Sequence, residues 1–545
     1  MNTLLNQIEN ELISLLSNIE KDINIDFHVS KLENFDLQIN SFVKYRNSDN
    51  FDEISKITLN FLNNKNIFSN VEITKQGFVN LSLNPLELIK TIRNTADEFK
   101  VENPKNMIID YGGPNIGKPL HVGHIRTLNI GKSIYNMNKF ISNNIKSDIH
   151  LGDWGMPVAQ IITYIKHNNL NIADLTAEDL QIIYPKSATS YKENKEFKTQ
   201  AQEINKLLNT NDETILNLWK IIKEKSLTRL KEDLNVFQHS FDFWLGESDV
   251  NHLIPDMIEE LQKKGKIIED DGALVSSENT DPKILITKSD GSYLYITTDL
   301  ATILNRQHSS PYDEALYVVD KRQSLHFQQL FQSIKYFSFN DSKHEHIAYG
   351  TLNDSKGNPF KTRDGDTKPL LELFNEVKEY ISKFNDNLSD EILNTLTNSV
   401  LTYSDLLTNR KTDYKFDIEK FANNTGKTGI YIQYSQVRAK KLIERFTETE
   451  SLEIGNLNNA ESNLVCKLLL FGMYLEQSLV TNEPHYLANY LYEISNLFNI
   501  FYGDEKFSEL NNSKDLNTKL FITNFYLTTA HNAMFCLGIK PVDKM

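Results

Sequence analysis

Asp110-Tyr-Gly-Gly-Pro-Asn115-Ile-Gly-Lys118-Pro-Leu-His121-Val-Gly-His124 is the stretch on which the reading of the fold turns. The apolar residues before it, Met107 to Ile109, predict a strand, and the residues after its glycine- and proline-rich turn predict a helix over 121–137. Strand, tight turn and helix in that order open an α/β unit, which holds ligands at the carboxyl ends of its strands. The start of such a helix presents unpaired N–H groups and a positive dipole end, a setting for an anion such as a triphosphate. Gly123, without a Cβ, lets a flat purine approach the backbone. His121 and His124 stand three apart on one helix face, where ring N–H groups reach phosphate oxygens, and Lys118 adds a mobile cation.

Outward from that turn the chain divides into three expected domains. Residues 104–390 alternate strand and helix signals, with strands expected at 107–111, 148–151, 284–287, 294–297 and 316–319. A charged helical stretch over 197–235 reads as an insertion. Residues 1–103 read as a small α+β unit: Leu4, Leu5, Ile8, Leu12, Leu15 and Leu16 recur at helical spacing, and a hairpin turns at Lys75-Gln-Gly77. Asn103-Pro104 is the expected linker, and 391–545 shows helical periodicity alone.

Composition narrows the class. The chain has 545 residues, 40% hydrophobic and 24% charged, enough for several cores. No apolar run approaches the roughly 18 residues of a membrane helix, and the N-terminus has no basic export-type start. Cys466 and Cys536 lie far apart without His or Cys neighbours at metal spacing, which argues against a structural zinc site and suits a reducing cytoplasm. The formal net charge of −15 means that any nucleic-acid partner must be met by local basic patches, with marked salt sensitivity.

The H-x-G-H element resembles the "HIGH" signature of class I aminoacyl-tRNA synthetases, and the longer pattern P-N-I-x-K-P-x-H-x-G-H resembles the arginyl-tRNA synthetase family. Further segments match that family in order: Gly152-Asp-Trp-Gly155, Phe241-Asp-Phe-Trp-Leu-Gly-Glu-Ser248, Asp270-Asp-Gly-Ala273, Tyr293-Leu-Tyr-Ile-Thr-Thr-Asp-Leu-Ala301 and Val318-Val-Asp-Lys-Arg-Gln323-Ser-Leu-His326-Phe. Tyr431-Ile-Gln-Tyr434-Ser-Gln-Val-Arg438-Ala-Lys and the C-terminal Leu537 to Met545 also match. The second class I signature, K-M-S-K-S, is replaced here by Gly357-Asn-Pro-Phe-Lys361-Thr-Arg363-Asp-Gly365. The family's departure is similar, and a lysine at the place of Lys118 is thought to compensate.

The resemblance implies a Rossmann-like catalytic domain with a small N-terminal α+β domain on the tRNA body and a C-terminal all-α anticodon-binding domain. It implies an arginine–tRNA ligase using L-arginine, ATP with Mg2+, and tRNA(Arg), working as a cytoplasmic monomer without a membrane. Lys118, His121, His124, Lys361 and Arg363 would carry catalysis; Gly117, Lys118, His121, Gly123 and His124 would hold ATP. Asp110, Asn115, Tyr295, Asp299 and Gln323 would hold arginine, because a planar guanidinium calls for a carboxylate fork. Tyr431, Tyr434, Arg438 and Lys440, with Lys441 and Arg445 beyond them, would meet tRNA. Local alternatives stand beside these roles: Asp299 capping a helix that begins at Leu300, Gln323 and His326 as surface residues, Trp154 and Trp244 as packing, and the 431–445 helix as merely amphipathic. Asp153 is left open. Two other functions are weighed: a silent tRNA-binding relative, against which the intact histidines and lysines speak, and a cysteine-specific enzyme, which would place zinc-binding cysteines in the catalytic region.

Overall fold

In the computed structural model the Asn106–Tyr111 strand lies inside a four-stranded parallel sheet, between Glu314–Val318 and Asn144–Asp148, with Lys343–His346 at the edge. The structure describes residues 2–278, 280, 283–289, 291–358, 360, 368–384, 387–446, 454–504 and 513–545. The first strand has its next partner in sequence on one side and a much later strand on the other. That reversal of strand order opens a crevice at the carboxyl ends. Register places Asp110 beside both Tyr317 and Asp148, at the floor of the crevice.

The chain leaves the first strand through the glycine turn into the 3-10 turn Val122–His124 and the helix Ile125–Phe140. That helix lies close over the sheet: a Cβ on Gly131 would fall 2.3 Å from Tyr111 Cγ. Three helices, Ala177–Glu193, Lys195–Asn209 and Glu213–Val236, form the insertion and build an apolar core with Met156–His167. A second core lies between the sheet and the helices Ile254–Lys263, Tyr295–Ser309 and Ser324–Phe337. An antiparallel ladder, Ile267–Asp270, Ala273–Ser276 and Leu285–Thr287, turns at Asp271 and Gly272, both at positive φ as a two-residue hairpin turn demands.

Three sequence expectations are corrected here. The strand expected at 294–297 is the first turn of the Tyr295–Ser309 helix. Its β-branched and aromatic residues favour a strand, but the Thr297 hydroxyl donates to the Ile286 carbonyl at 2.6 Å and the segment packs as helix. The strand expected at 148–151 ends at Asp148 and continues only as single bridges from Asp148 to Phe243 and from Leu151 to Gly246. The region past 390 includes a two-residue strand, Tyr414–Lys415, parallel to Leu352–Asn353.

The chain separates into two compact units: residues 101–401 with 408–420, and residues 1–100 with 402–407 and 421–545. In the second, a four-stranded antiparallel sheet, ordered Phe27–Val29, Leu37–Ile39, Val79–Leu83, Phe68–Ile73, accompanies the helices Asn2–Leu16 and Phe51–Asn63. Leu5, Ile8, Leu12 and Leu16 are buried, as their spacing predicts, while Leu15 is half exposed. The α+β part is tied to the helical part: the Asn94 side chain donates to the Leu468 carbonyl at 2.7 Å, and Asn532 donates to the Asn94 carbonyl at 2.6 Å. Contrary to the sequence expectation, the stretch 459–481 holds a window of mean hydropathy 1.4, enough by length and composition for a membrane span. It forms two helices, Asn459–Leu469 and Phe471–Thr481, with Leu464, Val465, Leu468 and Phe471 buried inside the unit.

Because Gly131 closes on the Tyr111 ring, Gly131→Ala is expected to destabilise the unit containing the parallel sheet by about 1–3 kcal/mol through overpacking. A lowered urea midpoint at constant slope would report this; an unchanged midpoint would contradict it.

Candidate active site

His121 caps the 3-10 turn at the start of the long helix. Its Nδ1 accepts the Gly123 N–H at 3.1 Å, and its own N–H donates to His124 Nδ1 at 3.0 Å. Each Nδ1 is therefore an acceptor, and each ring carries its proton on Nε2. Burial depresses both rings, helped by the nearby Lys118 charge: His121 to about 4, and His124, which also feels His121, to about 3. The pair is neutral at physiological pH and offers hydrogen-bond donors rather than charge.

These histidines line a cavity of about 560 Å³ with Gly112, Gly113, Gly123 and Gln323. Its rim is held by Arg126, which is buried and donates to the Gly350 and Thr412 carbonyls at 2.8 Å. Phe360 reaches the cavity, and Lys368 pairs beside His121 by accepting the Val122 N–H at 2.9 Å. Lys361 and Arg363 lie outside the described residues, on the segment joining those two anchors. Lys118 is part-buried, which lowers its pKa, and it sits over the Tyr184 ring at 5.9 Å. Gly117 does not line the large cavity; it is turned at φ +73, and its N–H donates to Ser226 Oγ at 3.0 Å. Gly123 does line it, in close contact with the His121 ring.

A second cavity of about 240 Å³ shares Asp110, Gly113 and Val319 with the first. It also holds Asn115, Glu247, Asp299 and Arg306. Asp110, Asn115 and Asp299 are thus brought together, whereas Gln323 faces the larger cavity. Tyr295 is 75% exposed and borders a third cavity, of about 280 Å³, with His326. Asp299 lies in the second turn of its helix, so it does not cap a helix starting at Leu300; its Oδ2 meets His326 Nε2 at 2.6 Å.

Three further residues contribute, and of these only Asp153 is singled out by the sequence. Arg306, two turns past Asp299 and 2% exposed, donates from Nη2 to Asp110 Oδ2 and Asp148 Oδ2 at 2.5 Å each. Burial raises the Asp110 pKa despite this contact; at Asp148 the arginine and His150 outweigh burial and lower it. Asp110, Asp148 and His150 come within 4.8 Å of one another, a metal-like set, but the arginine already supplies the cation. Glu247 is the second contributor. Its carboxyl is pushed up to about 8 by burial, with Asp153 and Asp299 adding repulsion. Asp153, the third, is fully buried and acts on structure: it pairs with Lys223 at 2.5 Å and accepts from Ser248 N and Oγ at 2.9 and 2.6 Å, fixing the turn that presents Glu247. Two carboxylates at adjacent strand ends needing one cation is the signal that could have found Arg306. Trp154 stacks edge-on against Trp219 at 5.1 Å, and Trp244 against Phe241 at 5.9 Å, as packing.

A family model described as tRNA synthetases class I (R), catalytic domain, matches residues 88–418, and one described as DALR anticodon binding domain matches 432–545. The chain belongs to the arginyl class I tRNA synthetases. Proteins named arginine–tRNA ligase from Francisella tularensis subsp. tularensis (strain FSC 198) and Agathobacter rectalis are each 33% identical to it, covering 88% and 89% of both chains respectively. The crystal structure of arginyl-tRNA synthetase from Plasmodium falciparum matches with a TM-score of 0.83 at 25% identity over 99% of each chain. The Thermus thermophilus arginyl-tRNA synthetase shares the fold, at a TM-score of 0.79 and 16% identity over 99% of this chain and 100% of that one.

The DALR match begins within the Gly429–Arg445 helix and takes in its residues from 432 onward. Tyr431 packs on Tyr492 and reaches Asn496 at 3.3 Å; Arg438 donates to Tyr434 Oη at 2.8 Å and to Asn499 at 2.5 Å. Lys440 pairs with Asp543 at 2.6 Å. Tyr434, Lys441 and Arg445 are exposed. Arg438 and Lys440 are therefore engaged within the domain, and the outward groups are the other three.

A group with its pKa raised to about 8 holds its proton below that pH, and a cationic ligand beside it must expel that proton. A substrate guanidinium bound there would lose affinity as pH falls, and the arginine KM should then rise about eightfold from pH 8.5 to 7. Glu247→Gln should flatten that profile while raising the KM at pH 8.5. A flat wild-type profile would contradict the assignment.

Proposed function

We infer that this chain is an arginine–tRNA ligase that uses the larger cavity for ATP and the smaller one for the arginine side chain. The observation that carries this is the shared wall: Asp110, Gly113 and Val319 border both cavities, so two ligands can meet there. Glu247 and Asp299 suit a planar guanidinium, which a pair of carboxylates binds with several parallel N–H bonds. Asn115, exposed at the cavity rim, would hold the backbone groups of the amino acid. With the side chain anchored there, the carboxylate points toward the histidine turn.

The amino acid's carboxylate is already ionised near neutral pH, so its attack on the α-phosphate requires no base. It displaces pyrophosphate and leaves arginyl-adenylate. The protein's work is alignment and charge neutralisation. His121 and His124 donate Nε2–H bonds to phosphate oxygens, and Lys118 adds a cation whose field already reaches both rings. Lys361 and Arg363 complete the set from the segment between Phe360 and Lys368. The carboxylates of the larger cavity, Asp110 and Asp320, are each paired with an arginine; magnesium bound with the triphosphate would supply further charge neutralisation there. The terminal 2′-hydroxyl of tRNA(Arg) then attacks the anhydride, as the class I resemblance implies. Tyr434, Lys441 and Arg445 face the anticodon region, and residues 1–100 the tRNA body. A monomer working in the cytoplasm is what the family resemblance implies.

The test is aminoacylation of total tRNA with each of the twenty amino acids, together with ATP–pyrophosphate exchange in the presence of tRNA. Arginine alone should support both; equal rates with lysine or cysteine would overturn the specificity. Lys118→Ala should lower kcat about 10²- to 10³-fold through lost transition-state stabilisation, with a small effect on the arginine KM. A wild-type kcat would remove Lys118 from the mechanism.

A further inference from the structure

Asp299 stands on a wall between two cavities. Its carboxylate lines the 240 Å³ pocket, while the residue that holds it, His326, lines the 280 Å³ cavity on the other side together with Tyr295. The two side chains come from different helices, Tyr295–Ser309 and Ser324–Phe337, and meet at 2.6 Å between His326 Nε2 and Asp299 Oδ2. A carboxylate only accepts, so His326 must carry a proton on Nε2, which it does both as the neutral Nε2–H tautomer and as the imidazolium. The donor is present in either charge state. The imidazole is itself braced edge-on against Phe327, with centroids 5.6 Å apart, and Phe327 belongs to the buried core under the helix. An aspartate on a helix has two free torsions, and at about one-third exposure packing alone does not fix them.

We propose that His326 is a positioning residue for arginine selection: it immobilises Asp299 by taking Oδ2, so that Oδ1 alone is presented to the guanidinium. Resting on the pocket assignment above, this divides the labour between the two acids. Asp299 gives one oriented hydrogen bond, and Glu247, whose carboxylate has no hydrogen bond or ion pair among the described residues, supplies the paired acceptance that distinguishes a planar guanidinium from an ammonium. Losing His326 frees Asp299 to rotate out of the pocket, so the defect falls on arginine binding and discrimination and spares the nucleotide side.

The experiment measures tRNA-dependent ATP–pyrophosphate exchange for the full chain and for His326→Phe, His326→Asn and Asp299→Asn. Phenylalanine keeps the ring volume without a donor, and asparagine keeps a short N–H donor. His326→Phe is expected to raise the arginine KM about tenfold, the scale of a lost hydrogen bond to a charged group, with the ATP KM and kcat within about twofold of wild type. His326→Asn is expected to recover most of that loss. The preference for arginine over the neutral isostere citrulline should fall in His326→Phe and return in His326→Asn. An unchanged arginine KM in His326→Phe, an equal rise in the ATP KM, or an asparagine variant as poor as phenylalanine would each overturn the proposal. Asp299→Asn separates the two levels: a raised arginine KM there with a normal His326→Phe leaves the pocket and removes the histidine, whereas a normal Asp299→Asn removes the pocket assignment itself. Should His326→Phe fail to fold, ring 15N shifts of His326 in the wild type decide: a protonated Nε2 with and without arginine supports the proposal, and an unprotonated Nε2 refutes it.

Discussion

One buried guanidinium organises the centre of this protein. Arg306 lies between the carboxylates that end two neighbouring parallel strands, 2.5 Å from Asp110 and 2.5 Å from Asp148. Two acids at adjacent strand ends would repel in a low-dielectric interior, and removing one member of such a knot typically costs about 3–5 kcal/mol because a charge is left buried and unpaired. The arginine resolves the conflict and joins the sheet to the helix that also bears Asp299. Sheet, turn and helix are thereby held in one geometry.

The same contact gives the crevice its polarity. Asp110 faces both cavities, yet its charge is already matched from within, so an incoming cation finds its open acids at the other end, at Glu247 and Asp299. Around the histidine turn the positive character comes from Lys118 and from the helix start, while the two histidines stay neutral and offer oriented donors. Their tautomers are imposed by backbone N–H groups of the same turn. The glycine turn therefore sets hydrogen-bond direction as well as room.

Much of this was legible in the sequence because it is local. The strand–turn–helix around Asp110 to His124, the hairpin at Lys75-Gln-Gly77 and the helical C-terminal region follow from short-range patterns, and the family resemblance ordered them. What the sequence does not show is where tertiary contacts outvote local preference. Tyr295-Ile-Thr-Thr has strand-favouring side chains, yet it is helical because Thr297 bonds across to Ile286. Tyr295 and Gln323 fall on different cavities from Asp299, since exposure and facing depend on where the two helices dock. Arg306 and Glu247 were missed for the same reason: a basic residue in a helix and an acid after a glycine look like solvated surface until Asp148 and Asp153 are placed beside them. Arg438 and Lys440, promising in a list of cations, are already engaged by Asn499 and Asp543.

The most direct measurement is a crystal structure of the protein with L-arginine and a non-hydrolysable ATP analogue. The account predicts the guanidinium against Glu247 and Asp299, the amino-acid carboxylate facing the α-phosphate across Gly113, and Arg306 still bonded to Asp110 and Asp148. A substrate guanidinium that displaces Arg306 from Asp110, or an arginine bound away from the nucleotide, would contradict it.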